Sequence, residues 1–252
     1  MRMFNIDKFE ELTPACSGLV TYRADMASTS DYAKMLADQG AISGSIVITD
    51  YQTAGRGRRE NGWSCEPGEG LLFSLILEPE VDRSTWGQFG LAVGVAIAEV
   101  LESYGLAAKI KWPNDIWIHG KKCAGILVET LQDRLVVGVG LNVSAKEFSD
   151  DVQQGATSLF LEGVQEVDRE LLLSQLVQSI IKWSSLCGGE NSGLIRKGLQ
   201  QRCALTGNQI QLDIEGVTVI GKALGVNYDG ALVIEVAGEV RMIHTASKVR
   251  VV

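Results

Sequence analysis

The spacing of apolar and polar residues along this 252-residue chain changes period several times, and each change marks an element. Ser28, Thr29 and Ser30 stand before a helical pattern over residues 31–38, and Gly40 follows, so cap, helix and stop come in order. Further helices are expected over residues 84–104, ended by Gly105, over 168–186 with apolar positions on more than one face, and over the short piece 194–203. Strand patterns fall at 45–49, 71–77, 108–111, 116–119, 124–130 and 134–143. Short turns such as His119-Gly120 make the middle strands antiparallel neighbours. Strand runs with helices between the groups predict an α+β protein: a mixed, largely antiparallel sheet with packed helices, not a doubly wound parallel fold.

Beyond residues 188–193 and the last helical piece, the pattern becomes short strands separated by turn signals at Glu215-Gly216, Asp229-Gly230 and Ala237-Gly238. Five strands on so little chain predict a small SH3-like β-barrel over residues 204–252, docked on a larger domain of residues 1–203.

Composition narrows the function classes. A hydrophobic share of 46% and a charged share of 21% describe a folded globular chain. The net charge of −8 opposes a general nucleic-acid-binding role, which needs a basic face to displace counterions. Five cysteines, odd in number and without a C-x-x-C pair, indicate neither a disulfide framework nor a structural zinc site, so a reducing cytoplasm is the expected compartment. The first ten residues mix charge with apolar groups, unlike a signal peptide. The most apolar stretch, residues 90–98, is broken by Glu99 well short of the roughly 20 residues that cross a bilayer, so no membrane partner is expected.

Three segments carry candidate chemistry. Gln52-Thr-Ala-Gly-Arg-Gly-Arg-Arg-Glu-Asn-Gly-Trp-Ser64 follows a strand and puts Arg56, Arg58 and Arg59 among Gly55, Gly57 and Gly62. Glycines let backbone approach a ligand, and guanidinium forks match phosphate or carboxylate oxygens, so this loop predicts an acidic substrate. Lys109-Ile-Lys-Trp-Pro-Asn-Asp-Ile-Trp-Ile118 places Lys111 beside Asn114 and Asp115, with Pro113 forcing Trp112 out of helical geometry. Lys121-Lys-Cys-Ala-Gly-Ile-Leu-Val-Glu129 is followed by the glycine-rich strand Val136-Val-Gly-Val-Gly-Leu-Asn-Val143.

In this order the three segments resemble the catalytic domain of biotin protein ligases. The resemblance begins near Ala27, runs through Ala156-Thr-Ser-Leu159 and continues into the C-terminal β domain. It implies an ATP-dependent, AMP-forming enzyme that makes biotinyl-5′-AMP from biotin and ATP, with Mg²⁺ arriving on the ATP phosphates and no metal site of its own. Its protein partner would be a biotin carboxyl carrier domain of a biotin-dependent carboxylase. Both a monomer and a homodimer are compatible with it. Because the catalytic resemblance starts so close to Met1, no N-terminal helix-turn-helix domain and no operator DNA are expected.

By that resemblance Ser28, Thr29 and Gln52 contribute to the biotin pocket, with Ser30 flanking; plain helix capping competes for the three hydroxyls. Lys122 contacts the biotin carboxylate and later the mixed anhydride. Gly55, Gly57 and Gly125 belong with Arg56 and Arg58 around biotin, and Gly125, Gly138 and Gly140 leave room for a flat bicycle or mark bulges. Arg56, Arg58, Arg59 and Lys111 face phosphates. Trp63 either stacks on adenine or biotin or serves as a hinge aromatic. Asn114 and Asp115 take the Mg²⁺–phosphate group, steer the incoming lysine, or form a turn. Asn142 faces the nucleotide or satisfies a buried edge. The catalytic candidates are Lys122, Arg56, Lys111 and Asp115. Glu60 and Asn61 replace the glycine and arginine more usual in the loop, which removes one positive charge and adds a negative one. A lipoate or octanoate ligase or transferase, and a non-catalytic biotin or nucleotide sensor, are the rival readings.

Overall fold

A computed structural model describes residues 3–59, 61–149, 155–227 and 229–252. The main sheet contains β1 (Val20–Met26), β2 (Ile46–Gln52), β3 (Gly70–Leu77), β4 (Lys109–Lys111), β5 (Asp115–Ile118), β6 (Lys121–Leu131) and β7 (Arg134–Asn142). Their spatial order is β1-β2-β3-β7-β6-β5-β4. Only β1 and β2 run parallel; the other neighbours are antiparallel. The helices are α1 (Ile6–Leu12), α2 (Thr29–Asp38), α3 (Gly87–Ser103), α4 (Arg169–Ser184) and α5 (Gly193–Arg202).

Strand alternation gives the sheet two different faces. On β2, Ile46 and Ile48 enter the large core with α3 and α4, whereas Val47 turns to the other side to meet Ala33 and Ala37 of α2. β3 is buried at every position, as a central strand covered on both faces must be. The same alternation on β7 sets up the site. Val136 packs with α2, Gly138 lies under Ser30 at the start of that helix, and Gly140 lies beyond it. Passing along one strand face therefore leads out of the core into an open pocket.

The second sheet comprises β8 (Gln209–Ile214), β9 (Val217–Val226), β10 (Leu232–Val236), β11 (Glu239–Ile243) and β12 (Ser247–Val251), all antiparallel in the order β11-β10-β9-β8-β12. It is fastened to the main sheet by the Ala204 N–H, which donates to the Ile110 carbonyl at 2.9 Å, and by the Trp112 indole N–H, which donates to the Gly230 carbonyl at 2.9 Å. Trp112 is 2% exposed. Trp112→Phe keeps an aromatic ring but leaves the Gly230 carbonyl unpaired, so it should lower unfolding free energy by about 1–3 kcal/mol. Urea titration of the intact chain measures this; an unchanged midpoint and slope would refute it.

The helices expected at 31–38, 84–104, 168–186 and 194–203 appear with ends moved by a few residues, and residues 83–85 form a separate 3₁₀ turn before α3. α1 and β1 were not expected. α1 is a single seven-residue helix with one buried side chain, Phe9. β1 is an edge strand on which exposure does not alternate, so neither element carries a strong periodic signal. No helix among the described residues is long and apolar enough to cross a membrane. All five cysteines are free.

Candidate active site

A cavity of about 230 Å³ opens on the α2 side of the main sheet, bounded by β6, β7, the arginine loop, the β4–β5 turn and the start of β12. Its described lining includes six cations, Arg56, Arg58, Arg59, Lys111, Lys122 and Lys248, against one carboxylate, Asp115. In a chain of net charge −8 this concentration of positive charge selects an anion.

The floor is made by glycine. Gly125 of β6 pairs directly with Gly140 of β7, and the Trp63 indole lies on both. A Cβ on Gly140 would come within 2.4 Å of Trp63 Cε2, and one on Gly125 within 3.0 Å of Trp63 Cζ3. Part of the space expected for a flat ligand is thus taken by the loop's own aromatic. The Trp63 Nε1 donor is buried with no hydrogen-bond partner. Beside this floor is a hydroxyl cluster. The Ser74 hydroxyl donates to Thr29 Oγ1 at 2.9 Å and lies 3.2 Å from Ser30 Oγ, while Gln52 Oε1 accepts from the Thr29 N–H at 2.8 Å. Such paired donors and acceptors at a helix start suit a neutral polar head group.

The cations converge on Asp115. Lys122 Nζ lies 2.7 Å from Asp115 Oδ1 and 5.5 Å from the centre of the Trp63 ring. Burial lowers the Lys111 pKa, with nearby Lys122 acting in the same direction and Asp115 opposing it. The Lys111 ammonium also lies 4.7 Å from the Trp117 ring centre. Half-buried Arg58 is lowered by burial and by Arg59, again opposed by Asp115. Holding such cations close together without full compensation favours an incoming anion, whose charge relieves the repulsion.

The loop is a closed hairpin: the Trp63 N–H donates to the Gly55 carbonyl at 2.9 Å and the Gly57 N–H to the Asn61 carbonyl at 2.8 Å. Glu60 lies outside the described residues. Arg59 reaches the second sheet, donating to Thr245 Oγ1 at 3.3 Å. Arg56 lines the cavity but spends its guanidinium on carboxylates, donating from Nη2 to Glu129 Oε1 at 2.7 Å and from Nη1 to Asp31 Oδ1 at 2.5 Å.

Most sequence-derived candidates gather here: Thr29, Ser30, Gln52, Arg56, Gly57, Arg58, Arg59, Trp63, Lys111, Asn114, Asp115, Lys122 and Gly125 all line the cavity. Three others lie behind its wall. Ser28 is the N-cap of α2, accepting from the Asp31 N–H at 3.4 Å, the capping role that competed with ligand binding. Gly55 is packed inside the loop, where a Cβ would strike the Trp63 carbonyl at 2.3 Å. Asn142 is buried and donates to the Thr157 carbonyl at 3.0 Å, so it satisfies an edge and does not face the cavity. Sequence reasoning missed Ser74, which supports the Thr29 and Ser30 hydroxyls from behind, and the wall formed by Ala246, Ser247, Lys248 and Val249. A lone hydroxyl in the apolar run of β3 was the signal for Ser74; the start of β12 gave none.

Comparison with known proteins agrees with this architecture. The profile of the Biotin/lipoate A/B protein ligase family matches residues 22–144. The bifunctional ligase/repressor BirA of Bacillus subtilis is 32% identical over 233 residues, covering 89% of this chain and 72% of that protein. The biotin–acetyl-CoA-carboxylase ligase of Mycobacterium tuberculosis is 30% identical over 222 residues, covering 84% and 81%. A biotin protein ligase from Aquifex aeolicus, solved in complex with biotin and ATP, superposes with a TM-score of 0.83 at 25% identity, covering 92% of this chain and 99% of that one. This chain belongs to the biotin/lipoate A/B protein ligase family.

Proposed function

We propose that this protein is a biotin protein ligase. The observation that carries the reading is one cavity in which a hydroxyl–amide cluster, a glycine floor and converging lysines and arginines meet. Biotin has a ureido head, a flat bicycle and a carboxylate, and these three surfaces suit those parts in turn. A carboxylate oxygen of biotin attacks the α-phosphorus of ATP, the bond to pyrophosphate breaks, and biotinyl-5′-AMP forms. The ε-amine of a carrier-domain lysine then attacks the acyl carbon, AMP leaves with the anhydride electrons, and the amine loses a proton. No covalent bond to the protein is needed.

In this reading Thr29, Ser30 and Gln52 bind the ureido group, Ser74 behind them orients the two hydroxyls, and Lys122 holds the carboxylate oxygens. Arg58 and Lys111 neutralise charge building on the phosphoryl oxygens. Mg²⁺ comes with the triphosphate, and Asp115 with Asn114 supplies the hard oxygen donors such an ion takes. Residues 1–203 form the catalytic unit and 204–252 a unit that closes one wall of it. The reaction takes place in the cytoplasm, where free thiols persist. Operator DNA is not a partner: the chain carries a net charge of −8, which opposes binding to a phosphate backbone, so a gel-shift with pure protein should show no sequence-specific complex.

Incubation with biotin, MgATP and a biotin carboxyl carrier domain should raise the carrier's mass by one biotinyl group. Pyrophosphate exchange driven by lipoate or octanoate in preference to biotin would overturn the substrate assignment. Stoichiometric biotin binding with neither exchange nor transfer would reduce the protein to a sensor.

A further inference from the structure

We infer that Glu129 is a positioning residue, which holds the base of the arginine loop through Arg56 so that the loop stays closed over the bound acyl-adenylate. The inference rests on the ligase reading and concerns residues outside the reacting groups. Strand alternation places Glu129 on the α2 face of β6, in line with Gly125 and Leu127 of the cavity wall. The same strand therefore carries the cavity floor, Lys122 and the loop's anchor.

The anchor is specific in geometry. Glu129 Oε1 accepts from Arg56 Nη2 at 2.7 Å and its Oε2 from Arg56 Nη1 at 3.2 Å, the two-point match of guanidinium to carboxylate. Lys34 Nζ of α2 lies 2.6 Å from Oε1, and Asp31 of the same helix takes the remaining Arg56 contact. The Glu129 side chain is 18% exposed and that of Arg56 37%, so the pair is anchored at its carboxylate end. Burial raises the Glu129 pKa, yet Lys34 and Arg56 together outweigh burial and keep it below the ordinary glutamate value.

Three parts are joined by this cluster: the loop, the sheet and the helix whose first turn bears Thr29 and Ser30. Arg56 is next to Gly55, whose carbonyl closes the hairpin on Trp63, and two residues before Arg58. Pinning Arg56 thus fixes where Trp63 and Arg58 stand. A loop freed at this point still carries every cation but closes less of the time.

The test uses the full-length protein, biotin and α-labelled MgATP, and reads the dissociation rate of biotinyl-AMP after gel filtration. Glu129→Gln should release biotinyl-AMP about tenfold faster, the size expected from losing one charge-assisted contact at a partly exposed site. The maximal pyrophosphate-exchange rate should change much less. In an Arg56→Gln background Glu129→Gln should add nothing further, because the effect passes through that guanidinium. Glu129→Asp, with the charge kept and the reach shortened, should fall between, and it replaces Glu129→Gln if the latter does not melt cooperatively. Equal retention by wild type and variant would overturn the inference, as would an undiminished effect in the Arg56→Gln background. A wild-type protein that forms no biotinyl-AMP would instead reject the ligase reading.

Discussion

Lys122→Ala should lower the rate of biotinyl-adenylate formation by a factor of about 100–1000, the range seen when one preorganised charge donor is removed from a reaction centre. The ammonium is fixed at one end of β6, 2.7 Å from Asp115, and it lies 5.5 Å from the centre of the Trp63 ring on the floor. Its backbone is held independently, with the Lys122 N–H donating to the Gly155 carbonyl at 2.8 Å and its carbonyl accepting from Thr157 at 2.9 Å. Removing the side chain should therefore leave the strand in place. With a side chain 36% exposed, Lys122 is not a core element, and the melting temperature should move little. Asp115 keeps Lys111 and Arg58 nearby after the change, so no isolated carboxylate results. Pyrophosphate exchange at saturating biotin separates a loss of chemistry from a loss of affinity. Exchange within a factor of two of wild type would show that some other cation holds the biotin carboxylate.

What the sequence made legible follows from how far apart the contributing residues are along the chain. The arginine loop, the Lys-Trp-Pro-Asn-Asp run and the Lys-Cys-Ala-Gly run each bring several chemical groups within a few positions, and local spacing is enough to expose them. Residues that act singly were hidden. Glu129 reads as an ordinary polar end of a strand, and Asp31 as a charge in a first helical turn; only the fold shows that both grip Arg56. The same limit hid the partners of Arg56, whose guanidinium lines the cavity and is also engaged by two carboxylates. Ser74 is a single hydroxyl inside the strand run 71–77, with no neighbouring polar group to mark it. The wall contributed by residues 246–249 comes from the second sheet, and no local pattern can announce a contact with residues so distant in the chain. Regular elements fared better where period and caps agreed, as in α2. They fared worse at β1, whose parallel edge position imposes no alternation.

Glycine at position 140 is the least replaceable feature of the cavity floor, and Gly140→Ala should lower kcat/KM for biotin by a factor of about 10–100, the equivalent of an overpacking cost of about 1–3 kcal/mol. The added methyl would lie 2.4 Å from Trp63 Cε2 and 2.7 Å from its Nε1, distances that a methyl carbon does not sustain against a ring atom. Something must yield. β7 is held by ladders to β3 on one side and β6 on the other, so the indole and the hairpin it closes must move first. Displacing Trp63 also removes it from Gly125 and from Lys122 and so alters the cavity at three points. The test is a double-mutant cycle with Trp63→Ala. If the penalty arises from methyl against indole, Gly140→Ala should cost little in the Trp63→Ala background, and the coupling should equal most of the single effect. Additive losses would mean that the floor at Gly140 meets the substrate directly, with Trp63 standing aside during the reaction.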